Sequence, residues 1–198
     1  MKRLTLSAVL LILVGSSSLL AAELVAVPGS NVQYPTPIES TVGTKQVKMV
    51  LTGTALRKKF FFSIYAIGSY VQEGVQVISA DEMATKDVAK QLHLVMERDV
   101  TGQQMADAFV EAIRLNHPEP EFQEEIKVLK QYLESFDVRK GEHVWLTHVP
   151  GVGLDINIVG KQGIQIQNVK FSVAIWEIYF GKRNLGDSIK NGLVSRLK

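Results

Sequence analysis

Two strand-like runs lie one after the other between Val47 and Val71, and their pairing constrains the fold more than any other feature of the sequence. In the first run, residues 47–53, apolar and polar side chains alternate as in a β-strand. The second run, residues 60–70, begins with three phenylalanines and continues with apolar residues on one parity, which favours a largely buried strand. The connection at residues 55–59 is short enough for a hairpin, so we expect the two strands to pair antiparallel.

This hairpin determines what Arg57 can do. In a straight strand, Arg57 and Tyr65 would share a face but lie about 26 Å apart, at roughly 3.3 Å per residue. If the chain folds back near Arg57, the guanidinium and the phenol meet in one pocket, where they can hold a carboxylate or enolate oxygen by charge-assisted hydrogen bonds. The alternative is that Arg57, which precedes Lys58 and Lys59, is a solvated charge of the turn.

The rest of the chain consists of blocks of helices and strands. A capping box, Thr101 with Gln104 three residues later, opens the clearest helix. The order of the blocks lacks the regular βαβ alternation of a parallel sheet, so the predicted fold class is α+β. The elements predicted after the first hairpin are a helix from Ser79 to Lys86, a strand at 88–96, helices at 101–116 and 121–135, strands at 144–149, 153–159 and 164–167, and helices at 169–180 and 185–197.

The N-terminal residues have the pattern of a secretory signal peptide. A basic start and an apolar run to Leu20 are followed by Ala21 and Ala22, which offer a cleavage site. Because a leucine lies where a small residue is preferred before the cut, a retained membrane anchor is the alternative. We predict a periplasmic or secreted location and three segments, namely a signal peptide at 1–22, an extended lead-in at 23–44 and one domain at 45–198.

Composition and spacing exclude several classes of function. The chain has no cysteine, which excludes disulfides, thiolate metal sites and lipoprotein anchoring. Without Lys2 and Arg3 the 22 basic residues become 20, equal to the 20 acidic ones, so the usual electrostatic footprint of nucleic-acid binding is missing. The four histidines lack metal-ligand spacing, and the sequence has neither a nucleophile elbow nor a phosphate-binding glycine loop. We therefore predict no cofactor, no metal site, no nucleic-acid partner and no stable membrane span after signal cleavage.

Six short stretches, taken together in their order and spacing, carry a family resemblance: Gly53-Thr54-Ala55-Leu56-Arg57, Lys59-Phe60-Phe61, Ala66-Ile67-Gly68-Ser69-Tyr70, Thr101-Gly102-Gln103-Gln104, Val149-Pro150-Gly151 and Trp176-Glu177-Ile178-Tyr179-Phe180-Gly181. From about Lys45 to the C-terminus the chain resembles the chalcone isomerase fold family, in particular its bacterial secreted branch. The resemblance implies an open-faced β-sandwich, in which a layer of helices covers a large antiparallel sheet and a ligand cleft lies between the two.

The resemblance also implies which residues would face that cleft. In the plant enzymes of the family, a cleft arginine guides a chalcone as it cyclises to a flavanone, and polar residues organise water. Arg57 falls on that arginine. At the other compared positions, Tyr65 replaces a threonine and Met105 a tyrosine. Ala112 replaces an asparagine, and Ile178 a threonine. Since three of these four residues are apolar, efficient cyclisation is not expected and no catalytic residue is assigned.

The family's fatty-acid-binding members retain an arginine and use a tyrosine near the ligand carboxylate, and Arg57 with Tyr65 is similar to that arrangement. The first hypothesis is therefore a secreted, non-catalytic binder of a fatty acid or similar amphipathic acid, and a flat phenolic ligand would suit the same cleft. The second is an isomerase, an intramolecular lyase of a chalcone or another enone or phenol. The third is an envelope protein-interaction module with a collapsed, empty cleft. The predicted ligand-binding residues are Arg57, Tyr65, Met105, Ala112 and Ile178.

Overall fold

The computed structural model describes residues 22–197, so the predicted signal peptide lies outside the described residues except for its last position. Nine strands and five helices are formed within this range. In chain order they are β1 (Glu23–Ala26), β2 (Gln33–Thr36), β3 (Ile38–Val42), β4 (Lys45–Lys59), β5 (Phe62–Gln72), α1 (Ala80–Thr85), β6 (Lys90–Met96), α2 (Gly102–Arg114), α3 (Gln123–Glu134), β7 (His143–Val149), β8 (Gly153–Ile158), β9 (Ile164–Ile166), α4 (Val169–Phe180) and α5 (Asp187–Leu193).

The strands β3 to β9 form one antiparallel sheet in which each strand pairs with the next along the chain. Neighbouring strands therefore run in opposite directions, which agrees with the absence of βαβ units in the sequence. The strands β1 and β2 pair only with each other. Residues 23–44, predicted as an extended lead-in, therefore supply this separate hairpin and also the edge strand β3 of the main sheet.

The helices cover one face of the sheet. Along β5, Ile67 and Val71 belong to the larger apolar cluster, which includes buried side chains from all five helices. The intervening Ala66 and Tyr70 point to the opposite face, because successive side chains of a strand alternate, and they pack with Tyr34 of β2 in a smaller cluster. A helical layer over a large antiparallel sheet is the predicted open-faced α+β sandwich, and this prediction is confirmed.

The first hairpin pairs antiparallel as predicted, but its turn lies further along the chain. Residues 55–59, predicted as the connection, belong to β4, and the turn consists of Phe60 and Phe61. The prediction that the phenylalanine run is buried is also wrong, because Phe60, Phe61 and Phe62 are 85%, 98% and 62% exposed. The aromatic run has high strand propensity, but propensity does not determine whether the strand end extends beyond the covering layer.

The predicted helices form, with one shorter than expected. The side chain of Thr101 accepts a hydrogen bond from the backbone N–H of Gln104, whose own side chain accepts one from the N–H of Thr101, so the capping box is present. The helix α4 is buried along most of its length, as its sequence predicts. The last helix spans only Asp187–Leu193, well inside the predicted range. Within the described part of the chain, no helix has both the length and the hydropathy needed to cross a bilayer.

The opposite face of the sheet contains a buried histidine. Its titration should make the folded state less stable at acidic pH. His93 stacks on Trp145 with the ring centroids 3.7 Å apart, and its Nε2 lies 2.7 Å from Nδ1 of His143. Burial and the neighbouring His143 lower the pKa of His93 from 6.5 to about 3. Between these two pH values the unfolded chain binds more protons than the folded one. The free energy of unfolding should therefore fall as pH drops below 6.5, by up to about 1.4 kcal/mol per pH unit.

The substitution His93→Phe removes this titration and keeps an aromatic ring against Trp145. We expect urea unfolding curves of the variant, collected between pH 7 and pH 4, to show a smaller loss of stability with falling pH than the wild type shows. Burial also lowers the pKa of His148, so part of the pH dependence of stability should remain in the variant. An unchanged slope in the variant would contradict the assignment to His93.

Candidate functional site

A cavity of about 710 Å³ lies between the helices and the part of the sheet formed by β4, β5 and β6. We call this cavity the cleft. The helix α2 and the end of α4 form one wall, and the segment 184–186 closes one side. The volume of the cleft falls within the range of small-molecule sites, roughly 300–1,000 Å³. The lining residues are Arg57, Lys59, Ile64, Tyr65, Leu94, Met96, Arg98, Val100, Gln104, Met105, Asp107, Ala108, Phe109, Glu111, Ala112, Leu115, Ile178, Tyr179, Asn184, Leu185 and Gly186.

Arg57 and Tyr65 are directly opposite each other in the β4–β5 ladder. Paired residues of neighbouring strands project from the same face, so both side chains reach the cleft, and both are half-buried. The guanidinium donates one hydrogen bond, 3.2 Å long, to the backbone oxygen of Leu185. Within residues 22–197 no carboxylate forms an ion pair with Arg57. A guanidinium has five N–H donors, so donors remain available to a ligand.

Tyr65 shares a hydrogen bond with Tyr179 of α4, whose hydroxyl oxygen lies 3.3 Å away. Burial raises the pKa of Tyr65, although the hydrogen bond with Tyr179 and the charge of Arg57 oppose part of this rise. Burial and the neighbouring Tyr65 raise the pKa of Tyr179. Both phenols are therefore protonated at neutral pH. Because the pair has two hydroxyl hydrogens and uses one between its members, the other can be donated to a ligand.

The remaining predicted site residues line the same cleft. Met105 and Ala112 lie on α2, and Ile178 lies on α4 one residue before Tyr179. All three are at most 5% exposed. The fold thus brings the five predicted residues to one cavity. Arg57 and Tyr65 supply a cation and a phenol, and the other three supply apolar side chains. The resemblance identified Arg57, and the hairpin pairing placed Tyr65 opposite it.

The cleft differs from the sequence-based expectation in its charges. The sequence analysis singled out Arg57 as the one functional arginine, but Lys59 and Arg98 also line the cleft. Asp107 and Glu111, on the exposed side of α2, contribute two carboxylates. Arg98 was not predicted because it follows the end of β6, and only the β5–β6 pairing brings it beside the first hairpin. The cleft therefore has several charged groups at its margin.

Tyr179 is the polar residue that the sequence analysis missed. It lies in a helix that is apolar on almost every side, and this pattern predicts a packing face and gives no sign of a functional phenol. The structure buries its ring to 1% exposure and directs its hydroxyl toward Tyr65. The one available signal was its place in the C-terminal motif from Trp176 to Gly181.

A hydrogen-bonded chain outside the cleft has the residue types of a nucleophilic triad. The Nδ1 of His148 lies 2.8 Å from the hydroxyl oxygen of Ser172, and its Nε2 lies 2.8 Å from a carboxylate oxygen of Asp87. Ser172 and His148 are both 0% exposed, so no substrate carbonyl reaches the hydroxyl. Next to this chain, the ammonium of the buried Lys90 donates to three backbone oxygens near the end of α1. The arrangement satisfies buried polar groups and does not form an active site.

The histidines were predicted not to be metal ligands, and the structure shows what they contact. Among residues 22–197, no group of three or more histidine, aspartate or glutamate side chains is arranged to hold a metal ion. His117 contacts Glu121 and Glu177 on the surface side of α4, and His93 contacts His143 on the far side of the sheet.

A large antiparallel sheet with helices on one face and an apolar cleft between them defines an open-faced β-sandwich with a ligand-sized site. Residues 30–195 match the chalcone isomerase-like family. The chain belongs to this family. The match includes all five predicted cleft residues.

A solved structure with a similar fold is that of the Arabidopsis thaliana fatty-acid binding protein AtFAP1. It is 15% identical in sequence and has a TM-score of 0.68, and the alignment covers 87% of this chain and 96% of that one. At this identity the likeness shows the fold. A comparison with proteins of curated function found no matching sequence.

Proposed function

We propose that the protein is a non-catalytic binder of a fatty acid or a similar amphipathic acid, which it holds in the cleft. The single observation that carries the proposal is the position of Arg57 beside the Tyr65–Tyr179 pair in a cavity of about 710 Å³ whose other walls are largely apolar. A carboxylate at this position accepts charge-assisted hydrogen bonds from the guanidinium and a neutral one from the phenol pair. The alkyl chain would lie against Met105 and Ile178.

The likeness to AtFAP1 supports the proposal, since that protein is described as a fatty-acid binding protein and shares the fold along most of the chain. The apolar residues at three of four compared positions also support binding without catalysis. They remove the side chains that would organise water around a reacting phenolate. The hypothesis of an interaction module assumes a collapsed cleft. A cavity of about 710 Å³ favours ligand binding over that hypothesis.

Native mass spectrometry of the purified protein tests the proposal directly. We expect a co-purified acid that detergent-free delipidation removes, and saturable binding when palmitate is titrated back. Protein that carries no acid and shows no saturable heat or fluorescence change with palmitate would contradict the proposal.

Filling the cleft should weaken this binding strongly. Ala112 faces the cleft from α2, so an indole introduced by Ala112→Trp would occupy the space of the alkyl chain. We expect palmitate affinity to fall at least tenfold. Gln103→Trp is the matched control, since Gln103 is exposed on the same helix and does not line the cleft. Circular dichroism checks that both variants are folded, and equal affinities in folded variants would exclude the cleft as the binding site.

An isomerase of enones or phenols is the second candidate, and one observation favours it. The Tyr65–Tyr179 pair next to Arg57 places a hydroxyl donor and a cation together, which is the type of arrangement that stabilises an enolate. A chalcone assay distinguishes the candidates. Turnover above buffer that Arg57→Ala destroys would establish the isomerase, whereas no turnover with tight palmitate binding supports the binder.

We also propose that the protein acts in the periplasm or outside the cell, after removal of residues 1–22. The support is the basic start and apolar run of the N-terminal sequence. Fractionation of cells that express the full chain, followed by mass measurement, tests it. We expect an exported protein that begins at Glu23, and a cytoplasmic full-length chain would contradict this proposal without affecting the proposal of ligand binding.

A further inference from the structure

The tip of the first hairpin exposes three consecutive aromatic rings. Phe60, Phe61 and Phe62 are 85%, 98% and 62% exposed, so within the described residues the first two pack on almost nothing and the third is only partly covered. A soluble surface rarely concentrates large apolar side chains in this way unless the patch meets a partner or a membrane. The two residues between the strands are both phenylalanines, which are unusual choices for a tight turn.

The backbone gives no reason for these aromatic residues. Phe60 has a φ of 55°, in the left-handed region that favours glycine or asparagine in a two-residue hairpin turn. A phenylalanine there makes the turn less favourable and also exposes its ring. Neither turn geometry nor core packing explains the tip, which favours an external partner that the apolar rings would contact.

The charges around the tip identify the chemistry of that partner. Lys58 and Lys59 precede the turn and are exposed, and the guanidinium of Arg98 lies 5.3 Å from the ring centroid of Phe62. The two acids that flank Arg98 in sequence each accept a hydrogen bond, Glu97 from the hydroxyl of Ser30 and Asp99 from the backbone N–H of Lys140. Apolar rings bordered by cations match the interface of an anionic bilayer, where rings enter the headgroup region and cations meet phosphates.

The tip also adjoins the cleft. Lys59, the last residue of β4, lines the cleft, and so does Arg98, which contacts Phe62. Arg57 lies two residues before Lys59 on the same strand and therefore on the same face. A bilayer that receives the tip would thus lie beside the part of the cleft margin that contains Lys59 and Arg98.

We propose that the Phe60–Phe62 tip docks on a bilayer that contains anionic phospholipid. Given the proposed function, on which this second step rests, docking places the cleft where an amphipathic acid can pass between the bilayer and Arg57. The rings supply apolar contact with the headgroup boundary. The lysines and Arg98 supply attraction that depends on anionic lipid and weakens with salt.

Vesicle flotation with the full mature chain tests the docking step. We expect the protein to float with vesicles of phosphatidylcholine and phosphatidylglycerol, and to float much less with phosphatidylcholine alone. Phe61→Ser should weaken vesicle affinity by about tenfold, because the substituted ring no longer enters the interface. Ile78→Ser is the matched control, since Ile78 is 60% exposed and lies away from the tip in sequence and in the fold. Equal binding of wild type and Phe61→Ser would overturn the proposal.

Charge reversal separates electrostatic from apolar docking. Lys58→Glu should reduce binding to the anionic vesicles several-fold, whereas Lys170→Glu, on the exposed side of α4, should not. Sedimentation velocity of the wild type identifies a different occupant. A dimer that Phe61→Ser dissociates, together with no vesicle binding, would assign the tip to self-association and overturn membrane docking.

The two proposals can fail independently. Palmitate titration without vesicles reports the cleft alone, and Phe61→Ser should leave that affinity unchanged because Phe61 does not line the cleft. Palmitate binding without vesicle binding would remove the docking proposal only. Vesicle binding without palmitate binding would remove the proposed function and leave the docking surface.

Discussion

Replacing Arg57 by alanine is expected to weaken fatty-acid binding by more than tenfold. The substitution removes the half-buried guanidinium beside Tyr65 and leaves the ligand carboxylate with the phenol pair alone. A hydrogen bond to a charged group contributes about 1.5–3 kcal/mol, which corresponds to roughly a tenfold to a hundredfold change in affinity. Isothermal titration of the delipidated protein with palmitate measures the effect.

The matched control for this prediction is Arg139→Ala. Arg139 is an exposed arginine that does not line the cleft, so its removal changes the net charge equally without touching the proposed carboxylate site. A second ligand, 1-hexadecanol, distinguishes loss of charge pairing from loss of packing, because Arg57→Ala should affect the alcohol much less than the acid. Unaltered palmitate affinity in Arg57→Ala would remove Arg57 from the site.

Replacing Gly53 by alanine is expected to reduce the free energy of unfolding by about 3 kcal/mol. An added Cβ would lie 2.1 Å from the backbone oxygen of Gly192 and 2.6 Å from the backbone carbon of Leu193. Both atoms belong to the backbone of α5, which cannot move as a flexible side chain does, so β4 and α5 would separate. The hydroxyl of Thr52 also donates to the backbone oxygen of Leu193, and that bond would be lost. Urea denaturation measures the change.

Gly74→Ala is the control that isolates this close approach. Gly74 has a φ of +81° and no atom within 4 Å of an added Cβ, so alanine there meets only the backbone penalty of the left-handed region, about 1 kcal/mol. If both variants lost the same stability, the contact between β4 and α5 would not be the cause. The comparison matters for the site because α5 follows directly on Leu185 and Gly186, which close the cleft, and the backbone oxygen of Leu185 accepts the hydrogen bond from Arg57.

The first hairpin has two parts with different surroundings. Its central part pairs Arg57 with Tyr65 under the helices, and its end extends past them with three exposed rings. The length of β4 and β5 relative to the helical layer separates these two environments. Shortening the hairpin would therefore remove the exposed rings of the proposed docking surface before it reaches Arg57 and Tyr65.

Local patterns account for most of the elements. The capping box at Thr101 and the strand predicted at 88–96 depend on neighbours a few residues away, and the structure contains both, with the strand at Lys90–Met96. The predicted position of the hairpin turn is wrong. Adjacent charged residues such as Lys58 and Lys59 are typical of solvated turns, but here both belong to β4. Strand register depends on pairing energies along both strands, which no local pattern contains.

The sequence by itself therefore determined the α+β class, the family resemblance and the candidate role of Arg57, because these depend on order, periodicity and motif. The tertiary structure alone decided that Tyr179 meets Tyr65, that Arg98 reaches the cleft and that the phenylalanine run is exposed. The physical reason is the same for all three. Each depends on contacts between segments far apart in the chain, and burial is a property of the assembled layers and not of the residue type.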